Sequence, residues 1–400
     1  MDALEGLTVL DFTSNLAGPY CTKLLGDMGA RVIKVEKPGG DSSRALPPFK
    51  DDQPGPDRSA IFHYLNTNKE SVNLDLTLPE AREVVRAVAQ NADLIVTSSS
   101  PKQEEALGID YATLSSYADV PVLSITNFGH QGSYRDYKLS DTVLYAMGAE
   151  MYSHGLLDRE PLKLGGTAAL LQGGAMAAVA AIGAIHAFEV HGVGQFVEVP
   201  LFNVQVNNID RRSSSILGYR FSGRIQERPA AAGGGVAGGL YPVADGYVEL
   251  TASAGNYWRR FVAMVDDDAL RDPKWDDPMT MTNPAAKEEV DAITYTWMLS
   301  HTRAEAWEAA RAAHAVLAPL NNGLDIWTDE NFHQRGMWTE VDHPELGTLP
   351  MLGRPYVFEK TPWRIRRAAP RLGEHTDSVL TEAGLARARI AELRNKAVVA

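Results

Sequence analysis

The chain has 400 residues, of which 44% are apolar and 22% charged, and its formal net charge is −13. This length predicts two or three domains, and the acidic balance argues against nucleic acid as the main partner, because backbone binding needs clustered Lys and Arg. Cys21 is the single cysteine, which excludes an internal disulfide and a multi-cysteine zinc site. The first residues lack the basic segment of a signal peptide, and the most apolar stretch, residues 175–188, is shorter than the ~18 residues of a membrane span. We therefore expect a cytoplasmic protein.

The first elements along the chain predict a β-α-β unit. Residues 7–12 (LTVLDF) and 31–36 (RVIKVE) are apolar and β-branched, which is typical of buried strands. Residues 20–28, between them, have helical spacing and stop at a glycine. Such a unit implies two parallel strands, and α/β sheets hold ligands in the loops at the carboxyl ends of their strands. Those loops are residues 13–19 and 37–44.

The same alternation continues through the first half of the chain. Further strands are predicted at residues 71–76, 92–97, 120–126 and 195–200, and helices at residues 78–89, 141–151 and 170–191. Strands that alternate with helices are typical of a wound α/β domain, which is the fold class we expect.

The composition changes after residue 222. Residues 228–239 (RPAAAGGGVAGG) have no periodicity, which predicts a mobile loop, and a strand at 247–251 precedes mostly helical spacing up to residue 320. The tail is predicted to alternate short strands and loops and to end in one helix over 376–396. The expected organisation is a large domain over 1–222, a small α+β domain with a glycine loop over 223–322, and a segment over 323–400 that returns to the large domain.

Five segments of the sequence carry a family resemblance. They are residues 4–41, 65–76 (LNTNKESVNLDL), 127–151, 191–202 (HGVGQFVEVPLF) and 239–250 (GLYPVADGYVEL). Together they resemble the class III CoA-transferases, a family that includes formyl-CoA transferase, carnitine CoA-transferase and the methylacyl-CoA racemases. Any one segment is weak evidence, whereas five in family order over most of the chain are specific.

The resemblance implies a Rossmann-like large domain and a small domain, in two subunits that interlock like chain links. It also implies a coenzyme A thioester as substrate, without a metal or a tightly bound cofactor. In the family an aspartate attacks the donor acyl-CoA to form a mixed anhydride and then an aspartyl-CoA thioester, which splits one difficult exchange into easier steps. That aspartate stands just before the long Ala-rich helix, four residues ahead of a glycine.

In this chain the position of that aspartate is occupied by Leu170. Counting back from the Gly-Gln pair at 194–195, the glycine at the start of the helix is Gly174, and Leu170 stands four residues before it. No Asp or Glu occurs between Glu160 and Glu189, so a shift of the alignment by one or two residues does not restore a carboxylate. Leucine has no lone pair and no titratable proton, and the chain alone is therefore predicted to be inactive.

A second departure lies in the segment that carries a CoA-phosphate arginine in family members. Here the segment opens with Ser98, and the arginine position is Ala106. The adjacent Glu104 and Glu105 are expected to repel a phosphate group, and Lys102 is expected to compensate in part.

Other family positions are retained in this sequence. The resemblance places Lys37 beside the adenine nucleotide, the loop after the first strand at the thioester end, and the glycine-rich loop over the acyl intermediate. Lys37 and Arg44 remain open between ligand contacts and ordinary surface charges, and the glycine-rich loop remains open between a lid and a linker. The candidate CoA- or substrate-binding residues are Asn15, Leu16, Ala17, Lys37, Arg44, Leu74, Ser98, Lys102, Gly233, Gly234 and Gly235.

Three functional hypotheses remain open on the sequence. The first is an aspartate-lacking subunit of a heteromeric member, resembling that of succinyl-CoA:benzylsuccinate CoA-transferase. It would act with a homologous Asp-bearing subunit on succinyl-CoA and an aromatic carboxylic acid. The second is an active CoA-transferase of altered mechanism, and the third is a non-enzymatic acyl-CoA-binding protein.

Overall fold

The computed structural model describes residues 1–207, 211–225, 227–228, 236–253, 255–277 and 279–400. These residues form two compact units. The first unit comprises Met1–His154, Leu162–Gln226 and His333–Ala400, and the second comprises Gly155–Pro161 and Glu227–Phe332. The chain therefore leaves the first unit and returns to it at the carboxyl end.

The first unit is built on a six-stranded parallel sheet. Its strands are β1 (Thr8–Phe12), β2 (Arg31–Glu36), β3 (Lys69–Asn73), β4 (Leu94–Thr97), β5 (Val122–Thr126) and β6 (Phe196–Pro200). The spatial order is β3-β2-β1-β4-β5-β6, and each neighbouring pair is parallel. The order reverses between β1 and β4, so the loops after β1, β2 and β4 border the crevice in which doubly wound sheets hold ligands. The predicted α/β class is thereby confirmed.

Helices pack on both faces of this sheet. The helices of the chain up to residue 222 are α1 (Ala17–Asp27), α2 (Ala60–Asn66), α3 (Ala81–Ala89), α4 (Pro101–Leu107), α5 (Tyr111–Ser115), α6 (Asp141–Met147), α7 (Glu150–Ser153), α8 (Ala168–His191), α9 (Leu201–Val206) and α10 (Arg211–Ser222). Because successive strand residues point to opposite faces, the apolar side chains of each strand contribute to two cores, one on each side of the sheet. Val9 and Val32 face α1 and α8, whereas Leu10 and Ile33 face α3 and the carboxyl-terminal helices.

The second unit combines a small sheet with helices. Its antiparallel sheet has the order β7 (Gly238–Val243), β8 (Gly246–Thr251) and β9 (Leu317–Pro319). Helices α11 (Gly255–Val265), α12 (Pro284–Leu299) and α13 (Arg303–Ala313) share one apolar core with it.

The carboxyl-terminal segment contains two short helices, a hairpin and a final helix pair. These are α14 (Gly323–Thr328), α15 (Glu330–Gln334), β10 (Trp338–His343), β11 (Gly347–Leu352), α16 (Thr376–Glu382) and α17 (Arg387–Asn395). Additional 3₁₀ helices lie at Ser42–Ala45, Lys50–Asp52, Asp268–Arg271, Pro273–Asp276 and Thr280–Thr282.

Three element predictions are corrected by the structure. The single helix predicted over 376–396 is two helices, separated where Gly384 adopts a φ of +92°. The helix predicted over 141–151 is likewise divided into α6 and α7, because Ala149 has a φ of +66°, outside the right-handed helical region. Helix α1 begins at Ala17, three residues earlier than predicted.

Helix α8 packs closely against α1. A Cβ atom on Gly174 would lie 2.3 Å from the Ala17 carbonyl oxygen, so this position needs glycine. Helix α8 is long and apolar enough to cross a membrane, although 44% of its most apolar 18-residue segment is buried within the protein. Helices in the cores of soluble proteins can be equally long and apolar.

Candidate functional site

Charged side chains lie on the α1 face of the sheet, within β1 and β2 and at the first residue of β3. Asp11 and Lys34 are cross-strand partners, Lys69 stands on β3, and all three are fully buried. Lys69 Nζ lies 3.1 Å from an Asp11 carboxylate oxygen and donates to the Pro19 carbonyl at 3.0 Å. Burial raises the pKa of Asp11, but attraction to Lys69 and Lys34, together with hydrogen bonds from Thr13 and Thr22, outweighs burial and lowers that pKa. The buried charges are therefore paired, as the low-dielectric interior requires.

A second buried ion pair joins the loop after β1 to the loop after β2. Lys34 Nζ lies 2.7 Å from Asp41 Oδ2 and donates to the Thr13 carbonyl at 2.9 Å. Asp41 Oδ1 accepts from the backbone N–H groups of Asn15 at 3.0 Å and Ser43 at 2.8 Å. Burial raises the pKa of Asp41, but attraction to Lys34 and hydrogen bonds from Lys34 and Ser43 lower it to about 2. The carboxylate is therefore ionised at neutral pH.

The residues predicted at the thioester end lie in the loop after β1 that this ion pair holds. Asn15 is exposed and adopts a φ of +73°, a left-handed conformation that asparagine tolerates better than most residues. Leu16 and Ala17 are buried at the start of α1. Asn15 is thus the one of the three that presents its side chain to solvent.

An open cavity of about 540 Å³ lies beside the loop after β2. Its lining includes Lys37, Gly39, Asp41, Phe49 and Pro56. Lys37 is exposed, so its ammonium group is available to an anionic ligand, while the ring and proline carbons offer apolar contact.

Arg44 also lines this cavity, but the structure gives its donors protein partners. Its Nε and Nη2 atoms each donate to the Glu36 carboxylate at 2.8 Å, and Nη1 contacts Asp57. Nη2 donates in addition to the Pro370 carbonyl at 3.1 Å, and the guanidinium lies 3.7 Å from the centroid of the Phe62 ring. These contacts anchor the loop after β2.

The remaining predicted contacts are dispersed along the crevice. Leu74 follows β3, with its side chain in the apolar core. The Ser98 hydroxyl accepts from the Ser14 N–H at 3.0 Å, which links the loops after β4 and β1. Lys102 is exposed on α4, and Gly233–Gly235 lie outside the described residues.

Glu104 faces the interior, contrary to the expectation that it faces a phosphate. Its carboxylate accepts hydrogen bonds from the hydroxyls of Thr97 and Ser124, the latter at 2.9 Å, and His130 Nε2 lies 3.7 Å away. Burial outweighs these hydrogen bonds and raises the pKa of Glu104 from 4.5 to about 7. The neighbouring Glu105 is exposed and pairs with an arginine.

Replacement of this buried acid is expected to change how stability depends on pH. Because the folded-state pKa of Glu104 is raised, the unfolded chain loses this proton first, and Glu104 lowers stability progressively as pH rises from 4.5 to about 7. The unfolding free energy of Glu104→Gln minus that of wild type should therefore increase by about 2 to 3 kcal/mol as the pH rises from 4.5 to 8. Urea unfolding of both proteins at several pH values measures this difference in unfolding free energy. Glu105→Gln is the matched control, and a difference independent of pH would contradict the assignment.

The first turn of α8 contains a leucine side chain, and the loop before it contains an ion pair. Leu170 lies in the first turn and packs against the apolar layer between the sheet and α8. In the preceding loop, Lys163 Nζ lies 2.7 Å from Asp141 Oδ2 and donates to the Leu164 and Gly166 carbonyls, each at 2.7 Å. Asp141 is thus a carboxylate that the structure brings to this loop, and Lys163 neutralises it.

Cys21 does not provide a substitute nucleophile at this site. It is fully buried in α1, and burial together with the charge of Asp11 raises the pKa of its thiol, so the reactive thiolate is not formed at neutral pH. Within the described part of the chain, no group of three or more His, Cys, Asp and Glu side chains is placed to hold a metal ion.

The doubly wound parallel sheet, the loops that border its crevice and the long helix α8, which begins at Ala168, form the architecture that the resemblance to class III CoA-transferases implies. The sequence profile of CoA-transferase family III matches residues 4–376, and the chain belongs to this family. CoA-transferases use CoA thioesters as substrates.

Individual relatives cover nearly the whole chain. The chain is 29% identical to the succinyl-CoA:(R)-benzylsuccinate CoA-transferase subunit BbsE of Thauera aromatica, over 94% of this chain and 93% of that protein. It is 32% identical to the succinyl-CoA:mesaconate CoA-transferase of Haloarcula hispanica, over 96% and 97%. The crystal structure of a CAIB/BAIF family protein from Brucella suis matches with a TM-score of 0.82 at 26% identity, over 96% of this chain and 99% of that one. The family resemblance is thereby confirmed.

Several residues that shape the crevice were missed in the sequence. They are Lys34, Asp41, Lys69 and Asp11, none of which was singled out. A signal was present for Lys34, which lies inside the predicted strand 31–36, where a charge must find a buried partner. Lys69 gave no such signal, because it precedes the strand predicted over 71–76.

Proposed function

We propose that this chain is the nucleophile-lacking subunit of a heteromeric CoA-transferase and acts with a homologous subunit that carries the aspartate. The observation that carries the proposal is Leu170, a hydrocarbon at the start of α8 where the family's chemistry needs a carboxylate. The likeness to a subunit of a benzylsuccinate CoA-transferase supports the same arrangement.

An exposed apolar face on α8 supports association with another subunit. Met176, Val179, Ile182 and Val190 are each exposed by more than 40% and recur at intervals of three, three and eight residues along the helix. This spacing places them on one side of α8. Apolar side chains in one stripe are typical of an interface that a partner covers, and we propose the homologous subunit as that partner, in an interlocked dimer.

A charge on this stripe is expected to weaken the association. Val179 is 66% exposed, so Val179→Arg should leave the fold of the chain intact but place a cation in the apolar interface, where its desolvation is costly. Sedimentation of the co-expressed subunits should show a larger dissociated fraction. Val357→Arg is the matched control, because Val357 is 64% exposed on an irregular segment. Equal dissociation of the two variants would contradict the proposed interface.

The proposed donor is succinyl-CoA, and the proposed acceptor is an aromatic, benzylsuccinate-like acid. The donor is supported by the relatives from Thauera and Haloarcula, whose names include succinyl-CoA, and the acceptor by the Thauera relative. Asn15, Leu16, Ala17 and Lys37 are the proposed CoA contacts of this chain. We place the protein in the cytoplasm as part of this proposal.

A second candidate function is an active transferase that uses another carboxylate. Asp141 favours it, because its Oδ1 atom is buried and has no hydrogen-bond partner among the described residues, while its Oδ2 atom pairs with Lys163. Exchange activity of the chain alone that is lost in Asp141→Asn would support this candidate.

A third candidate is a non-enzymatic acyl-CoA-binding protein, which the cavity beside Lys37 favours. Tight binding of acyl-CoA by the chain alone, without exchange in any combination of subunits, would support it.

Co-expression with the Asp-bearing homologue, with a different tag on each subunit, tests the proposed function. The expected result is one complex that retains both tags through two successive affinity steps. Recovery of separate homodimers only would contradict the heteromeric assignment.

A further inference from the structure

Resting on the proposed CoA cleft, we propose that the buried Lys34–Asp41 ion pair is a positioning device for the ligand. It joins the loop after β1 to the loop after β2, so that the two loops hold one extended ligand together. Neither side chain reacts, because both act through the backbone of the loops that they anchor.

The loop after β1 is held from two sides by this pair. Lys34 Nζ donates to the Thr13 carbonyl at 2.9 Å, and Asp41 Oδ1 accepts from the Asn15 N–H at 3.0 Å. The Ser14 hydroxyl donates to the same Asp41 oxygen at 3.4 Å. Between these anchors Asn15 keeps its left-handed backbone, a conformation that persists in proteins when surrounding contacts fix it.

The loop after β2 is built around the same carboxylate. Asp41 caps the turn at Ser42–Ala45 by accepting from the N–H and the hydroxyl of Ser43, both at 2.8 Å. Its own N–H donates to Glu36 at 2.9 Å. Asp41 also lines the cavity that contains Lys37. Asp41 therefore lies in the wall of the cavity, and its buried carboxylate anchors the exposed Asn15.

The anchored loop leads from the cavity towards the start of α8. It continues into α1, where the Ala17 carbonyl lies against Gly174, one turn beyond Leu170. A CoA thioester has an anionic nucleotide end that suits the Lys37 cavity and an extended arm that suits the loop. Because the ion pair orders both loops in advance, a ligand that spans them binds with a smaller loss of conformational entropy.

Calorimetry on the full-length chain with two probes distinguishes how the two ends of the ligand contribute to binding. The probes are CoA and adenosine 3′,5′-bisphosphate, which is its nucleotide end alone. We expect Asp41→Asn to weaken CoA binding about tenfold and bisphosphate binding by no more than about twofold. The amide oxygen of this variant still caps Ser42–Ala45 and so keeps the cavity, whereas the ion pair with Lys34, which fixes the loop that only CoA reaches, is lost. Lys37→Ala should weaken both probes alike. The double variant Lys34→Met/Asp41→Asn leaves no unpaired buried charge, so it should fold and show the same selective loss as Asp41→Asn.

An equal loss for both probes in Asp41→Asn, or no loss for either, would overturn the proposal. If wild type binds neither probe, the CoA cleft of the proposed function fails, and amide hydrogen exchange then decides the positioning claim separately. Faster exchange at residues 13–19 in both variants, with Lys37→Ala unchanged, would support the anchoring role. Unchanged exchange in both variants would overturn it.

Discussion

Turnover of succinyl-CoA and an acceptor acid by the purified chain alone is expected to be at least about a thousandfold slower than turnover by its complex with the Asp-bearing subunit. The reason is chemical, since Leu170 offers no oxygen to attack a thioester, and the buried thiol of Cys21 stays protonated. Steady-state exchange assays of the chain, the homologue and the complex at equal concentration measure the ratio.

Asp141→Asn is the companion variant for this assay. If the proposed function holds, it leaves the turnover of the chain alone unchanged, because there is no acyl-enzyme for it to affect. Fast turnover by the chain alone that disappears in Asp141→Asn would transfer the assignment to the second candidate function.

Removal of the Lys69 ammonium group is expected to give the largest loss of stability in the first unit. Lys69→Met leaves the Asp11 carboxylate with one cation fewer in a fully buried position. The loss of one partner from such a pair costs about 3 to 5 kcal/mol of unfolding free energy, because the remaining charge is desolvated and undercompensated. Urea unfolding of the variant beside wild type measures this difference.

The matched control for this variant is an exposed lysine with an acidic partner. Lys396 lies 3.3 Å from Glu80 on the surface, and Lys396→Met should leave the unfolding curve unchanged, because solvent already screens that pair. A Lys69→Met curve that overlies the control would contradict the energetic role given to the buried pair.

The sheet was predictable from the sequence because most of its strands are rich in apolar and β-branched residues and are separated by helical spacing. The six strands of the first unit lie within three residues of their predicted positions. Their shared direction followed from the β-α-β alternation, since a helical connection brings the next strand back parallel to the first. The terminal helix was predicted less well, because the local spacing over 376–396 does not reveal that Gly384 interrupts it.

The candidate site was harder to predict because it depends on which charges become buried. Lys34 and Asp41 are seven residues apart, and only the turn after β2 brings the carboxylate back to the ammonium group. The charge of Arg44 suggested a ligand contact, and the charge of Glu104 suggested repulsion of a phosphate group. Both side chains are buried, however, and hydrogen-bond to other protein groups. The identity of a charged residue therefore does not decide its role until its surroundings are known.

The polypeptide that carries the covalent intermediate decides most directly whether this chain lacks the nucleophile. The complex of the two subunits is incubated with succinyl-CoA, quenched in acid, and analysed by intact-protein mass spectrometry. If Leu170 leaves this chain without a nucleophile, the CoA adduct forms on the Asp-bearing subunit and this chain keeps its unmodified mass. A CoA or succinyl adduct on a carboxylate of this chain would contradict it.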